Sequence, residues 1–182
     1  MGIDLLHVDQ TWTLFLDRDG VINQRIFGGY VLSTESFVFE QGVLPALKSA
    51  TQRFGRIIVV TNQQCVALGL LSDASLAQIH QDMITEVTAY GGRIDAVYAA
   101  IDLKMASPNR RKPNPAMALE AQRQFPEIDF SKAIMVGDTD TDIRFGKQLG
   151  MKTVLVESEE VTEEVPDLSV NSLLELMNNL CA

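Results

Sequence analysis

The sequence has few cysteines and no long apolar run. Its two cysteines, Cys65 and Cys181, are too few and too far apart for a disulfide framework or a cysteine-based zinc site. A reducing, cytoplasmic setting is therefore the simpler interpretation. No apolar stretch approaches the roughly 18–20 residues that cross a bilayer. Residues 1–11 lack the basic start and long apolar core of a signal peptide. We therefore expect neither a membrane-spanning protein nor a disulfide-rich one.

Basic residues are also scarce, with 15 Lys and Arg against 24 Asp and Glu, for a net charge of -9. Partners such as nucleic acids and anionic membranes need clustered positive charge, so we expect neither. The one concentrated basic run is at residues 110–112, and the acidic stretch 157–164 is assigned no function. A chain of 182 residues can bury a sizeable core. We expect one domain, 1–182, as a monomer or small homo-oligomer.

Apolar runs alternate with segments of helical periodicity along the chain. This alternation predicts an α/β fold, with a central parallel sheet flanked by helices on both faces. Asn114 is predicted to cap one helix, with Pro115 at its first position. The predicted strands lie near 12–16, 57–60, 94–101, 133–136 and 152–156. Three predicted helices lie near 43–54, 73–90 and 170–180. A fourth begins at Pro115, before the strand at 133–136, and a fifth follows that strand and ends near Gly150.

Three of the predicted strands end in polar residues. Residues 17–20 read Asp-Arg-Asp-Gly, residues 61–63 read Thr-Asn-Gln, and residues 137–142 read Gly-Asp-Thr-Asp-Thr-Asp. Alone, the first segment fits an Asp/Gly turn as well as it fits a functional site. Three polar strand ends favour a single functional site over three separate turns, because ligands bind at the carboxyl edge of an open α/β sheet. Asp17 and Asp19 would repel each other, which suggests a bound cation or a shared proton.

The residue types suit phosphoryl transfer. Asp17 would attack phosphorus and form an aspartyl-phosphate, and Asp19 would serve as general acid and then general base. Asp17, the backbone carbonyl of Asp19, and Asp138 would bind Mg²⁺, which prefers hard oxygen ligands. Lys112 would offset charge on the phosphoryl oxygens. The Thr61 hydroxyl would help to hold the phosphate.

Other residues near these segments allow more than one interpretation. Arg111 could grip a second anionic group of the substrate through its two-pronged guanidinium. Asn62 either orients the substrate or caps the turn after its strand. Arg18 either stabilises the entrance of the site or is an exposed charge. His80 is assigned to the surface or to packing rather than to a base, and Cys65 to a loop without redox chemistry.

Four segments of the chain resemble, in order, the four motifs of the haloacid-dehalogenase (HAD) superfamily. They are similar to the branch that holds histidinol-phosphatase and D-glycero-D-manno-heptose-1,7-bisphosphate phosphatase. The resemblance implies a Rossmann-like core without a large cap domain and Mg²⁺-dependent phosphomonoester hydrolysis. It also implies Asp17 as nucleophile, Asp19 as acid/base, and Asp142 as a support for Lys112 or for the water shell of the metal. The four segments are 15–23, 59–64, 111–115 and 136–142.

Two departures from the family bear on metal and substrate. Many members carry a Cys/His zinc loop before the third motif, but residues 98–110 contain neither type, so no zinc is expected. Heptose enzymes usually continue the second motif with Ser-Gly-Ile-Ala-Arg-Gly, and here Leu68 replaces the arginine. The expected substrate is a small phosphorylated metabolite, either a sugar phosphate such as heptose bisphosphate or a compound like histidinol phosphate.

Two other functions remain as alternatives. A polynucleotide 3′-phosphatase would share these motifs, but the acidic composition disfavours it, since backbone binding depends on clustered Lys and Arg. A module that is phosphorylated on Asp17 without turnover would act as a switch. That second alternative leaves Asp19 without a purpose.

Overall fold

The computed structural model describes residues 8–180. Its six strands are β1 (Thr13–Leu16), β2 (Arg56–Asn62), β3 (Ala96–Ala100), β4 (Ala133–Gly137), β5 (Lys152–Val156) and β6 (Leu168–Val170). They form one parallel sheet in the order β3-β2-β1-β4-β5-β6. The first strand is central, with Leu16 in register with Val59 on one side and with Val136 on the other. The three strands that precede the polar segments are therefore neighbours.

Five helices cover the two faces of the sheet. They are α1 (Val43–Arg53), α2 (Asp73–Ala89), α3 (Ala116–Gln124), α4 (Asp140–Gln148) and α5 (Leu173–Asn179). Alternate side chains of β1 point to opposite faces, because strand geometry has a period of two. Leu14 and Leu16 pack with residues of α1, α2 and α5, whereas Phe15 packs with residues of α3 and α4. The parallel sheet with helices on both faces is thus confirmed.

The start of α3 differs by one residue from the sequence prediction. The carbonyl of Pro115 accepts the first helical hydrogen bond, from the amide of Leu119, so Pro115 is the N-cap and the helix begins at Ala116. The Asn114 side chain accepts from the amide of Ala116. Asn114 therefore stabilises the turn before the helix, and its assignment as the cap residue was wrong.

The C-terminal region contains a strand that the periodicity did not predict. Residues 168–170 form β6, which pairs with β5, and the last helix begins at Leu173 rather than near 170. Ser172 caps this helix by accepting from the amide of Glu175. A strand of three residues shows too little alternation to be recognised from sequence.

The long connection from β1 to α1 lies over the carboxyl edge of the sheet. It is tied to the loop after β2 by a hydrogen bond from Gln64 to the Tyr30 hydroxyl, at 2.7 Å. Apart from such connections, residues 8–180 form no large cap. Over the same residues, no helix is long and apolar enough to cross a membrane. Cys181 lies outside the described residues.

Candidate active site

The carboxyl ends of β1, β2 and β4 meet at a cavity of about 780 Å³. Because the strands are parallel and adjacent, Asp17, Thr61 and Asp138 are brought to the same edge. Asp142 is fully buried beneath the cavity and contacts Lys112 from there. The predicted site residues that line the cavity are Asp17, Asp19, Thr61, Asn62, Arg111, Lys112 and Asp138.

Lys112 is buried and makes three short polar contacts. Its Nζ lies 2.8 Å from Asp17 Oδ1 and 2.6 Å from Asp142 Oδ1, and it donates to the carbonyl of Val60 at 2.7 Å. Burial alone would lower the pKa of Lys112, but the charges and hydrogen bonds of Asp142 and Asp17 outweigh it and raise the pKa above its usual range. The ammonium therefore remains charged beside the Asp17 carboxyl group.

Asp142 connects this lysine to the start of α4. Its Oδ2 accepts from the amide of Thr139 at 3.1 Å and from the Thr139 hydroxyl at 2.6 Å, while its Oδ1 faces Lys112. A Cβ on Gly137 would lie 2.1 Å from the Cβ of Asp142, so β4 must end in glycine for α4 to approach. Asp142 thus acts on the site through Lys112.

Three acidic side chains form a buried cluster that fits a divalent cation. One carboxylate oxygen from each of Asp17, Asp138 and Asp142 lies within 4.8 Å of the others. Asp138 Oδ1 is buried and has no hydrogen-bond partner. Hard oxygen donors in this arrangement suit Mg²⁺, because it binds through carboxylates and keeps several waters. The residues present therefore fit the metal that the sequence predicts.

The electrostatics of the cluster agree with this interpretation. Burial, reinforced by the neighbouring carboxylates, outweighs the charge of Lys112 and raises the pKa of Asp17 to about 8. Burial and the charge of Asp142 likewise raise the pKa of Asp138 to about 6, against the opposing effect of Arg25. Carboxylates held this close favour protonation unless a cation offsets their charge.

Gly20 allows the turn after β1 to approach Asp138. Its φ is +88°, a conformation that residues with a side chain rarely adopt. A Cβ at this position would also lie 2.3 Å from Asp138 Oδ2. Both requirements exclude larger residues, so glycine brings the Asp19 turn against the acidic cluster.

The Asp19 carboxylate is held by three side chains. Arg18 Nη2 donates to both of its oxygens at 2.9 and 3.0 Å, Asn23 donates to Oδ1 at 2.9 Å, and Gln63 donates to Oδ2 at 2.7 Å. Burial would raise the pKa of Asp19, but the Arg18 charge and these hydrogen bonds outweigh it and lower the pKa. The side chain keeps 28% of its surface exposed, toward the cavity.

Asn62 holds the backbone of Lys112. Its Oδ1 accepts from the Lys112 amide at 2.9 Å, and its Nδ2 donates to the Lys112 carbonyl at 3.3 Å. This pair of bonds fastens the segment carrying Lys112 to the end of β2. Arg111, the next residue along, is partly buried in the cavity wall, and that burial lowers its pKa.

The structure places Arg18 and His80 inside the protein. Arg18 is fully buried, which contradicts its interpretation as an exposed charge. His80 is also buried, on α2, and its Nε2 lies 3.1 Å from Arg18 Nη1. The burial of His80 therefore excludes its assignment to the surface.

Sequence reasoning missed the contacts of two further residues, Gln63 and Arg25. Gln63 donates to the Thr61 hydroxyl as well as to Asp19, and its position directly after a polar strand end was the available signal. Arg25 donates to Asp138 Oδ2 at 2.9 Å and also pairs with Glu160. Glu160 belongs to the acidic stretch that was assigned no function.

Known proteins resemble this chain over most of its length. A D-glycero-alpha-D-manno-heptose-1,7-bisphosphate 7-phosphatase of Mycobacterium tuberculosis is 32% identical over 168 residues, which are 90% of this chain and 88% of the relative. The chain belongs to this family of HAD phosphatases. A relative of the same name from Burkholderia mallei is 37% identical over 79% of this chain and 78% of its own. A family model described as HAD-hydrolase-like matches residues 109–176 of this phosphatase.

Solved structures agree with the fold and the family. The D,D-heptose 1,7-bisphosphate phosphatase from B. bronchiseptica, complexed with magnesium and phosphate, is similar with a TM-score of 0.81 and 26% identity. The match covers 93% of this chain and 98% of the other. The corresponding enzyme from Burkholderia thailandensis has a TM-score of 0.66 and 25% identity, over 94% and 99% of the two chains. The Rossmann-like HAD fold of this phosphatase is therefore confirmed.

Proposed function

We propose that this phosphatase removes one phosphate from a sugar bisphosphate of the heptose 1,7-bisphosphate type, with Asp17 as the nucleophile. The observation that carries the proposal is the position of Asp17. Its carboxyl group lies on the floor of the cavity, paired with the buried Lys112 and within the acidic cluster. The choice of sugar rests on the names of the relatives, and the choice of reaction rests on the geometry around Asp17.

In the first step, an Asp17 oxygen attacks phosphorus, and the bond from phosphorus to the sugar oxygen breaks. The product is an aspartyl-phosphate on Asp17. Asp19 donates a proton to the departing oxygen, so the sugar leaves as a neutral alcohol. The Asp19 carboxyl group faces the cavity, and its direction is fixed by several hydrogen bonds. Because the Arg18 charge and these bonds outweigh burial and lower the pKa of Asp19, the protonated form that donates is the minor form.

In the second step, a water molecule attacks phosphorus and the bond to Asp17 breaks. Asp19 accepts a proton from this water, because the group that served as acid is now the base. Inorganic phosphate departs and the Asp17 carboxylate is regenerated. The step explains why two carboxyl groups are needed so close together.

The remaining residues offset charge and position the phosphoryl group. Lys112 provides a fixed positive charge, which is most useful as charge builds on the phosphoryl oxygens. The Thr61 hydroxyl is available to donate to one of those oxygens. Asp17, the Asp19 carbonyl and Asp138 would hold Mg²⁺, which would offset charge on the phosphate. Asp142 keeps Lys112 in place.

The substrate proposal is tested by a phosphate-release screen with Mg²⁺. The panel contains the α and β anomers of heptose 1,7-bisphosphate, because relatives of both names are similar to this chain. It also contains heptose monophosphates and histidinol phosphate. We expect a bisphosphate to give the highest kcat/KM, by a small margin because Leu68 stands in place of an arginine. A preference for histidinol phosphate would overturn the sugar assignment but not the reaction.

Leu68 leads to a further expectation about rate. It is about half exposed, in the turn after β2, where the heptose enzymes usually carry arginine. Without that positive charge, we expect weaker turnover of heptose bisphosphate than is typical of the family. The measurement is kcat/KM for both anomers against the monophosphates. If heptose bisphosphate is by far the best substrate, Leu68 does not limit recognition.

Arg111 is expected to bind the substrate phosphate that does not react. Replacing it with alanine should raise KM for a bisphosphate and leave kcat on 4-nitrophenyl phosphate unchanged, because the lost contact is to the non-reacting end. Arg110→Ala is the matched control, since Arg110 instead pairs with Glu120 at the surface. A fall in kcat on the aryl phosphate would show that Arg111 takes part in the chemistry.

Mg²⁺ is expected to be the metal, and zinc is expected to be absent. Chelation should abolish activity, added Mg²⁺ should restore it, and elemental analysis should find no stoichiometric zinc. The affinity for Mg²⁺ should rise as the pH increases from 6 to 8, since protons compete for Asp17, whose pKa is raised to about 8. One zinc per chain, or an affinity that falls over this range, would contradict the assignment.

The remaining proposals concern the setting of the enzyme. We propose a single-domain enzyme of the cytoplasm, active as a monomer or small homo-oligomer. The net charge of -9 supports a small-molecule substrate over a nucleic acid or a membrane surface. The polynucleotide 3′-phosphatase and the non-hydrolytic switch are not favoured by the family to which the chain belongs.

A further inference from the structure

Arg18 is the largest fully buried side chain in residues 8–180, and most of its polar contacts lead to the site. One guanidinium nitrogen, Nη2, donates to both oxygens of Asp19. The other, Nη1, contacts His80 on α2, and Phe37 lies under the guanidinium with its ring centre 5.9 Å away. Burying a charge is costly unless it is paired, so this arrangement needs an explanation beyond packing.

His80 must accept the hydrogen bond from Arg18. A guanidinium has no acceptor, so the contact at 3.1 Å requires an unprotonated Nε2 and therefore a neutral ring with its proton on Nδ1. Burial, with the positive charge of Arg18, lowers the pKa of His80 to about 4, which agrees with a neutral ring. His80 therefore acts as a fixed acceptor that limits where the guanidinium can lie.

We infer that His80 and Arg18 are positioning residues for Asp19, because the fixed guanidinium sets the direction of the carboxyl group that exchanges protons with the leaving group. This inference rests on the proposed function, in which Asp19 is the acid and base. Neither residue lines the cavity. Asn23 and Gln63 complete the set of donors around Asp19, but neither is itself fixed by a partner on α2.

The inference predicts a loss that depends on the leaving group. A misdirected Asp19 would slow the departure of a poor leaving group, which needs a proton, and would affect a good leaving group much less. Phenyl phosphate and 4-nitrophenyl phosphate are nearly the same size and differ mainly in leaving-group acidity. The ratio of their kcat/KM values therefore reports on proton donation in the first step and is independent of the natural sugar.

The experiment compares His80→Leu, which removes the acceptor, with His80→Gln, which retains an acceptor oxygen. In His80→Leu, we expect kcat/KM for phenyl phosphate to fall on the order of tenfold, a fraction of what general acid catalysis contributes. The value for 4-nitrophenyl phosphate should change little, which also confirms that the variant is folded. His80→Gln should recover most of the loss. Equal losses on both substrates, or no loss on either, would overturn the inference.

Two further measurements keep the inference testable if His80→Leu does not fold. Arg18→Lys retains the charge but loses the two guanidinium nitrogens that contact Asp19 and His80 separately. It should therefore show the same selective loss of kcat/KM on phenyl phosphate. Asp19→Asn combined with Arg18→Lys should be no slower on phenyl phosphate than Asp19→Asn alone, because residues that act through one another are not additive.

A spectroscopic test does not depend on activity. Nitrogen-15 NMR of the histidine rings should show His80 neutral, with its proton on Nδ1, at pH 7. Arg18→Lys should shift that signal. A His80 ring protonated on Nε2 would contradict the inferred contact even if phosphatase activity were intact. Failure of the phosphatase assay with an intact NMR signature would instead count against the proposed function.

Discussion

Asp17→Asn is expected to abolish phosphate release, because an amide cannot attack phosphorus to form the aspartyl-phosphate. The fold should be preserved. The substitution removes one negative charge from a buried cluster in which burial and the neighbouring carboxylates raise the pKa of Asp17. Substrate binding should largely persist, since Lys112 and Arg111 remain in the cavity wall. The measurements are steady-state phosphate release and thermal unfolding of the variant.

A rapid-quench measurement completes this test. The unmodified enzyme, mixed with a labelled aryl phosphate, should transfer label to the protein before steady release, and the Asp17→Asn variant should not. Asp129→Asn is a matched control, because Asp129 is exposed and lies in the connection before β4, away from the carboxyl edge. Near-normal activity in Asp17→Asn would refute the covalent mechanism, and labelled protein that does not turn over would favour the switch.

Asp19→Asn is expected to reduce turnover by about 10²–10⁴-fold, the usual contribution of general acid/base catalysis. The substitution leaves the backbone carbonyl of residue 19 unchanged. In the unmodified enzyme, the Asp19 carboxylate is bonded to Arg18, Asn23 and Gln63 rather than to the acidic cluster. The affinity for Mg²⁺ should therefore change little. Titration of activity with Mg²⁺ and calorimetry of metal binding measure the two effects separately.

The Mg²⁺ titration of Asp19→Asn also has an outcome that would contradict the role of Asp19 as acid and base. A variant that binds Mg²⁺ weakly but regains the full rate at saturating metal would make the Asp19 side chain a metal ligand rather than an acid. Asp138→Asn supplies the comparison, because Asp138 belongs to the acidic cluster and has a buried oxygen without a partner. That substitution should weaken Mg²⁺ binding strongly.

The strand ends were predictable from the sequence because burial and polarity change there abruptly. The apolar run before Asp17 is buried on both faces of the sheet, and a strand in that position needs a continuous apolar sequence. The two neighbouring strands follow the same rule. Their common edge then follows from parallel pairing alone, without knowledge of any side-chain contact.

The contacts of Arg18 and Arg25 were not predictable in the same way. Arg18 turns inward because His80, 62 residues later, presents an acceptor from α2. Arg25 reaches Asp138 across 113 residues of sequence. Whether a charged residue in a polar loop is buried depends on which partners the tertiary fold brings to it, and local periodicity carries no information about them. Short elements such as β6 are missed for the related reason that three residues show no clear period.

The position of Asp142 links the chemistry of the site to local unfolding. The same carboxyl group bonds the first turn of α4 and faces the buried ammonium of Lys112. Fraying of that turn would therefore release the lysine, so hydrogen exchange of the Thr139 and Asp142 amides should report how often the site is disassembled. Substrate and metal, by favouring the assembled site, should slow that exchange even though neither needs to touch α4 beyond its first turn.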